Sequence, residues 1–138
     1  MVIPFTGGCA CGLIRYECHA EPLAVAHCYC TDCQKTSGAQ ASTNVLVPKP
    51  AFNVVKGKAT CFDTKADSGN TVTRYFCSQC GSNLWSVPNG IPDLLVIKAG
   101  TLDDPSGITP GMSIFCDSAQ PWAVISDAIP RFPKMPPM

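Results

Sequence analysis

Cys28-Tyr29-Cys30-Thr31-Asp32-Cys33 places three thiols within one short segment, and two further cysteine groups flank it at a distance. Cys9-Ala10-Cys11 lies upstream; Cys77-Ser78-Gln79-Cys80, followed at once by Gly81, lies downstream. The 138-residue chain holds ten cysteines in all, with Cys18, Cys61 and Cys116 standing alone. No basic segment followed by an apolar run opens the sequence, and its longest uncharged stretch, Tyr75 to Pro92, is broken by Cys, Ser, Gly and Pro. Neither a signal peptide nor a membrane-spanning helix is expected, and the expected location is cytoplasmic. In a reducing compartment clustered thiols serve metal binding or redox chemistry rather than a disulfide framework.

Spacing separates those two uses. A C-x-x-C of the thioredoxin kind opens a helix in an α/β fold, and nothing around Cys77 and Cys80 resembles one. Structural zinc takes four tetrahedral ligands, usually as two close pairs far apart in sequence, which Cys9/Cys11 and Cys77/Cys80 supply. Cys28, Cys30 and Cys33 then form a three-ligand set with a fourth position for water or substrate, the pattern of a reactive zinc site. Another pairing joins Cys28, Cys30 and Cys33 to Cys77 or Cys80 and leaves Cys9 and Cys11 as accessories.

The rest of the sequence reads as mainly β. Thirteen prolines and eleven glycines interrupt it, and no long apolar repeat of helical period is present. Runs of β-branched and aromatic residues predict strands at Leu13–Cys18, Ala24–Cys28, Ala41–Val47, Phe52–Val55, Ala59–Phe62, Thr71–Phe76, Asn83–Val87, Leu94–Ala99 and Met112–Phe115. Asp67-Ser68-Gly69-Asn70 and Pro88-Asn89-Gly90 read as turns. The one helical turn is Thr31–Ser37, with Thr31 as its expected N-cap, Asp32 as a second candidate cap, and Gly38 as its stop. One domain over residues 1–138 is expected, with a proline-rich tail from about 130 to 138, extended or loosely docked. Ten basic and ten acidic side chains give a net charge of zero. That leaves no electrostatic footprint for nucleic acid or an anionic membrane. Two zinc ions on four and three thiolates would bring the folded charge to about −3.

Several of these pieces, taken in order, resemble one family. They are Gly7-Gly8-Cys9-Ala10-Cys11-Gly12-Leu13-Ile14-Arg15-Tyr16, His27 through Cys33 with Ser37-Gly38, and Tyr75-Phe76-Cys77-Ser78-Gln79-Cys80-Gly81-Ser82. Val96-Ile97-Lys98-Ala99-Gly100-Thr101-Leu102-Asp103, Ser113-Ile114-Phe115 and Pro121-Trp122 follow. Together they are similar to the glutathione-dependent formaldehyde-activating enzymes and centromere protein V. The resemblance implies a β-tent fold of several small twisted antiparallel sheets held by zinc. It implies carbon–sulfur lyase chemistry of the S-(hydroxymethyl)glutathione synthase kind, with a thiol such as glutathione as the small-molecule partner. It places a structural zinc on Cys9, Cys11, Cys77 and Cys80 and a catalytic zinc on Cys28, Cys30 and Cys33, two ions per chain. The chain departs from the family pattern at Gln34-Lys35, where a basic pair is common, and at Ser113, where a histidine is frequent.

The remaining candidates are weighed against plainer roles. His27 adjoins the three-thiol segment as a candidate proton shuttle or ligand-orienting residue, or as a strand residue hydrogen-bonded to backbone. Lys35 and Arg74 are candidates for a substrate carboxylate, against the usual solvated surface cation. His19 reads as a surface residue. Cys18, Cys61 and Cys116 read as small buried hydrophobes, and Trp85 and Trp122 as core. The competing function is a non-catalytic zinc-stabilised module that binds a protein. Nucleic-acid binding is disfavoured by the neutral charge, and the sequence does not set the oligomeric state.

Overall fold

The turn-punctuated β-branched runs do form strands. The computed structural model describes residues 1–137. Its strands are β1 (Phe5–Gly8), β2 (Arg15–Cys18), β3 (Ala24–Cys28), β4 (Ser42–Pro48) and β5 (Phe52–Lys56), then β6 (Thr60–Lys65), β7 (Thr71–Phe76), β8 (Asn83–Pro88), β9 (Leu94–Lys98) and β10 (Met112–Ile114). The helix α1 spans Thr31–Ser37. Strands β1-β2-β5 form a three-stranded sheet, and β10-β3-β4-β9-β8-β7-β6 form a seven-stranded one. All pairings between these strands are antiparallel except β10 with β3, which is parallel.

β1 is the strand that propensity misses, because its Gly7-Gly8 end carries no side chain to pack. The glycine is required there: a Cβ on Gly7 would collide with the Tyr16 ring and the Thr101 carbonyl.

Register sorts the seven-stranded sheet into two faces. Val25, Val45, Ile97, Trp85 and Tyr75 pair in turn across five strands, so they share one face. The small sheet covers that face through Tyr16 and Phe52, whose rings lie 6.2 and 4.9 Å from the Trp85 ring. Ile14, Tyr16, Val45 and Ile97 are fully buried in this main core. The opposite face runs through Ala26, Asn44 and Lys98 in one row and Val96, Ser86 and Arg74 in another. A second, smaller core of Ala26, Cys28, Cys33 and Ile114 packs there with Phe132.

The tail is docked rather than loose. Ser113 receives a hydrogen bond from the Phe132 amide (2.9 Å) and donates to the Pro130 carbonyl (2.9 Å), and the Cys116 amide reaches Phe132 (3.0 Å). Three single-residue expectations need correction. Cys61 is exposed, because β6 is the edge strand of the large sheet. Trp122 is 68% exposed, since it lies in a turn outside both cores. Cys116 is only half-buried, at the start of a 3-10 turn. Cys18 and Trp85 are buried as expected.

Candidate metal centres

Cys9 and Cys77 each close a tight turn, and the two turns face each other. In the first, the Ile14 amide donates to Cys9 Sγ (3.2 Å), the Cys9 amide to the Ile14 carbonyl (3.1 Å), and the Gly12 amide to the Cys9 carbonyl (3.1 Å). In the second, the Gly81 amide donates to the Cys77 carbonyl (2.8 Å) and the Cys77 amide to the Ser82 carbonyl (3.0 Å). Gly12 and Gly81 close these turns with φ of 79° and 77°, the left-handed region that suits glycine. Ser82 Oγ links them, accepting from the Ala10 amide (3.0 Å) and lying 3.2 Å from Cys80 Sγ.

The sulfurs of Cys9, Cys11, Cys77 and Cys80 all lie within 4.8 Å of one another. Cys9–Cys11 and Cys11–Cys77 are separated by 3.6 and 3.7 Å. Bonds of about 2.3 Å at tetrahedral angles require sulfurs roughly 3.8 Å apart. Four free thiols with those edges fit a tetrahedral soft-metal site. Cys9 and Cys77 are buried while Cys11 and Cys80 are exposed, so the cluster is half open to solvent. The Ser82 hydroxyl and backbone push the Cys80 thiol down to about 5.

Cys28, Cys30 and Cys33 form the second group, again within 4.8 Å of one another. Cys28 ends β3. Cys30, not Thr31 or Asp32, caps α1: its Sγ accepts from the Cys33 amide at 3.2 Å. A cysteine sulfur at this position does the work usually given to Ser or Asp, which is why a search for ordinary capping residues passes over it. Gly38 ends the helix at φ 67°. Gln34, one of the departures noted above, braces the segment from behind. Its Nε2 donates to the Tyr29 carbonyl (2.7 Å) and the Ser118 carbonyl (2.9 Å), and Gln120 donates to its Oε1 (3.0 Å). At roughly 0.5–1.5 kcal/mol net for each of its three side-chain hydrogen bonds, Gln34→Ala is expected to lower stability by about 1.5–4.5 kcal/mol. Urea unfolding of the metal-loaded protein measures this; an unchanged midpoint would mean the brace is not felt.

Two buried cations share a face with this group. Alternation along β3 and the register to β4 and β9 put Cys28, Asn44 and Lys98 on one side of the sheet, and the Ser86–Arg74 row continues that side. Lys98 and Arg74 are 7% and 6% exposed, and neither forms an ion pair with a carboxylate among the described residues. Lys98 Nζ donates to Asn44 Oδ1 (2.9 Å), and Arg74 Nε to Thr64 Oγ1 (3.0 Å). The Cys33 thiol is held well below its ordinary range, chiefly by hydrogen bonds from Cys28 and Cys30, with Lys98 and Arg74 adding to the effect. Cys28 is pushed up by the same partnership. Burial lowers Lys98, and the charge on Cys33 opposes that shift.

His27 points the other way. It follows the alternation to the face opposite Cys28, where Nδ1 lies 2.9 Å from Thr43 Oγ1, and burial lowers its pKa. Its partner is a hydroxyl rather than backbone. Lys35 is exposed in the last turn of α1, and His19 is exposed beside Glu17. Lys98 is the residue that the strand reading did not single out. A lone cation inside Leu94-Leu95-Val96-Ile97-Lys98-Ala99 was the available signal, since a charge in an apolar strand is buried for a reason.

A cleft of about 440 Å³ opens between α1 and the Cys77–Cys80 turn, lined by Thr36 and Ser37 on one side and Gly81, Ser82 and Asn83 on the other. Lys98 lies in its wall. Against this geometry, the sequence profile described as "Glutathione-dependent formaldehyde-activating enzyme" matches residues 4–118. The chain belongs to this family. The matched region contains both thiol groups, Arg74, Asn83 and Lys98. A curated protein of Halomonas elongata, named "Putative glutathione-dependent formaldehyde-activating enzyme", is 30% identical over 101 residues, covering 70% of this chain and 64% of that protein. The fold is similar to a crystal structure of a Rhodobacter sphaeroides protein, with a TM-score of 0.59 at 18% identity over 91% of this chain and 98% of that one. Family members are described by glutathione and formaldehyde; in this chain the two thiol groups could hold metal ions. No helix among the described residues is long and apolar enough to cross a membrane.

Proposed function

We propose that this protein is a zinc-dependent carbon–sulfur lyase that makes and breaks a thiol–aldehyde adduct, glutathione with formaldehyde being the pair the family suggests. The observation that carries the reading is the buried three-thiol group on the same sheet face as two cations without carboxylate partners. In this reading Cys9, Cys11, Cys77 and Cys80 hold a structural zinc and Cys28, Cys30 and Cys33 hold the reactive one. When bound at the second group, zinc supplies a soft Lewis-acid centre with one ligand position to spare, where a thiol ionises near neutral pH.

Charge favours that use. A divalent ion on three thiolates carries −1, and Lys98 and Arg74 add +2, so the buried region is balanced by one further negative charge. An incoming thiolate provides it. In this reading Lys98 and Arg74 would offset charge on the sulfurs, while Gln34 and the cap at Cys30 hold the Cys28–Cys33 segment in place. In the forward direction the thiol sulfur bonds to the aldehyde carbon and the carbonyl oxygen takes up the proton, giving a hydroxymethyl thioether. The reverse returns thiol and aldehyde. Positioning is the main contribution asked of the protein. His27, on the far face, serves in this reading to fix β3 against β4.

The test is exchange between ¹³C-formaldehyde and its glutathione adduct, followed by NMR. Acceleration is expected with the zinc-loaded protein and is expected to vanish when the reactive site alone is emptied. Full exchange activity in a folded, zinc-free protein would overturn the reading, as would no acceleration by the loaded one.

A further inference from the structure

We propose that the C-terminal tail is part of the three-thiol centre: Phe132 and Phe115 form an apolar wall that positions Cys28 and Cys33 and keeps water from them. The inference rests on the reading above only in treating those thiols as ligands. In that reading Phe132 and Phe115 are positioning residues.

The tail lies beyond residues 4–118, the stretch that the family profile matches. It covers the outer side of β10, the edge strand of the large sheet, with Arg131 bridged to Ser113 in parallel. The Ser113 amide donates to the Pro130 carbonyl (2.9 Å), and the Phe132 amide donates to the Ser113 carbonyl (2.9 Å). Just past β10, the amides of Phe115, Cys116 and Asp117 donate to the carbonyls of Lys134 (3.1 Å), Phe132 (3.0 Å) and Pro133 (3.2 Å). The tail therefore grips three successive residues that belong to no strand.

The first of those three is strained. Phe115 has φ 54° and ψ 38°, a left-handed conformation that a bulky side chain keeps only when its surroundings impose it. The bonds from the tail are that constraint. Phe115 and Phe132 both pack against the cluster of Ala26, Cys28, Cys33 and Ile114. The Ile114 carbonyl accepts from the Tyr29 amide (3.0 Å), between Cys28 and Cys30, so β10 is joined directly to the thiol segment. At seven residues α1 is too short to persist alone, and the place of Cys33 depends on what packs against it. Cys28 and Cys33 are each 4% exposed, although most of the tail lies open to solvent. An apolar shell governs how readily water reaches a thiolate centre, so losing the wall changes the ligands without altering a ligand atom.

Alkylation by iodoacetamide, resolved by mass spectrometry on the reduced protein with its metal, tests the wall. Phe132→Ala is expected to speed modification of Cys28 and Cys33 at least about tenfold, because a large side chain leaves the smaller core and local opening becomes easier. Cys9 and Cys77, also buried but in the other thiol group, are expected to keep the parental rate. Phe132→Leu, which retains apolar bulk, should restore most of the protection. Phe115→Gly removes the second ring at a φ that glycine adopts without strain. It is expected to act like Phe132→Ala, and it decides alone if Phe132→Ala does not fold. Unchanged rates at Cys28 and Cys33, a rise shared equally by Cys9 and Cys77, or no recovery in Phe132→Leu would each overturn the wall. Because rates are compared at named thiols, the result stands whether or not formaldehyde exchange is observed.

Discussion

Cys77→Ser is expected to yield a chain without fixed tertiary structure. Cys77 is fully buried, and its turn sits at the end of β7, facing the turn that follows β1 in the other sheet. The sulfurs of Cys9 and Cys77 thus bring the end of β1 in the three-stranded sheet against the end of β7 in the seven-stranded one, and in the proposed reading a metal held there would tie the two sheets. A structural zinc site contributes roughly 10–16 kcal/mol of apparent binding energy, as much as the net stability of about 5–15 kcal/mol of a whole domain. The aromatic contact of Tyr16 and Phe52 with Trp85 still joins the sheets, but a small β domain has little reserve once that much is removed. Loss of near-ultraviolet circular dichroism and collapse of NMR dispersion would record the effect. A folded Cys77→Ser would show that the four-thiol group is not what holds the sheets together.

Cys30→Ser is expected to do the opposite: keep the fold and abolish catalysed thiol–aldehyde exchange. Serine is among the best N-cap residues, so the cap on α1 survives the loss of sulfur. Cys28 and Cys33 remain in the second core, and Gln34 still braces the segment. What is lost is one of three soft ligands, and a hydroxyl at that position is a far poorer partner for zinc. The expected outcome is one metal equivalent retained in place of two, an unfolding midpoint close to that of the parent, and exchange reduced to the uncatalysed rate. Unaltered exchange would remove the three-thiol group from the chemistry.

The contrast between the two variants follows from features that were visible in the sequence to different degrees. The clustering of the thiols was partly legible: spacing offered the four-plus-three division beside a second pairing, and in the fold Cys9, Cys11, Cys77 and Cys80 come together as one group that could hold a metal ion and Cys28, Cys30 and Cys33 as another. The strand at Thr71–Phe76 and the helix at Thr31–Ser37 were legible for similar local reasons, and each appears with those bounds. β1 was not, because the need for Gly7 comes from Tyr16 and Thr101, far away in sequence. The positions of His27 and Arg74 were not legible either. Whether a strand residue faces a site depends on the register of every strand between, and here one step along β3 separates Cys28 from His27. The docked tail depends on β10 joining β3 in parallel, a long-range pairing with no local signature.

Metal titration of the reduced, metal-free protein tests the central division most directly. Cobalt(II) is expected to bind at two equivalents, both with the visible bands of tetrahedral thiolate coordination. Glutathione added afterwards is expected to alter the bands of one equivalent only, and Cys30→Ser is expected to lose that equivalent while keeping the other. A single equivalent, or a thiol response shared by both, would contradict a closed four-thiol site paired with an open three-thiol one.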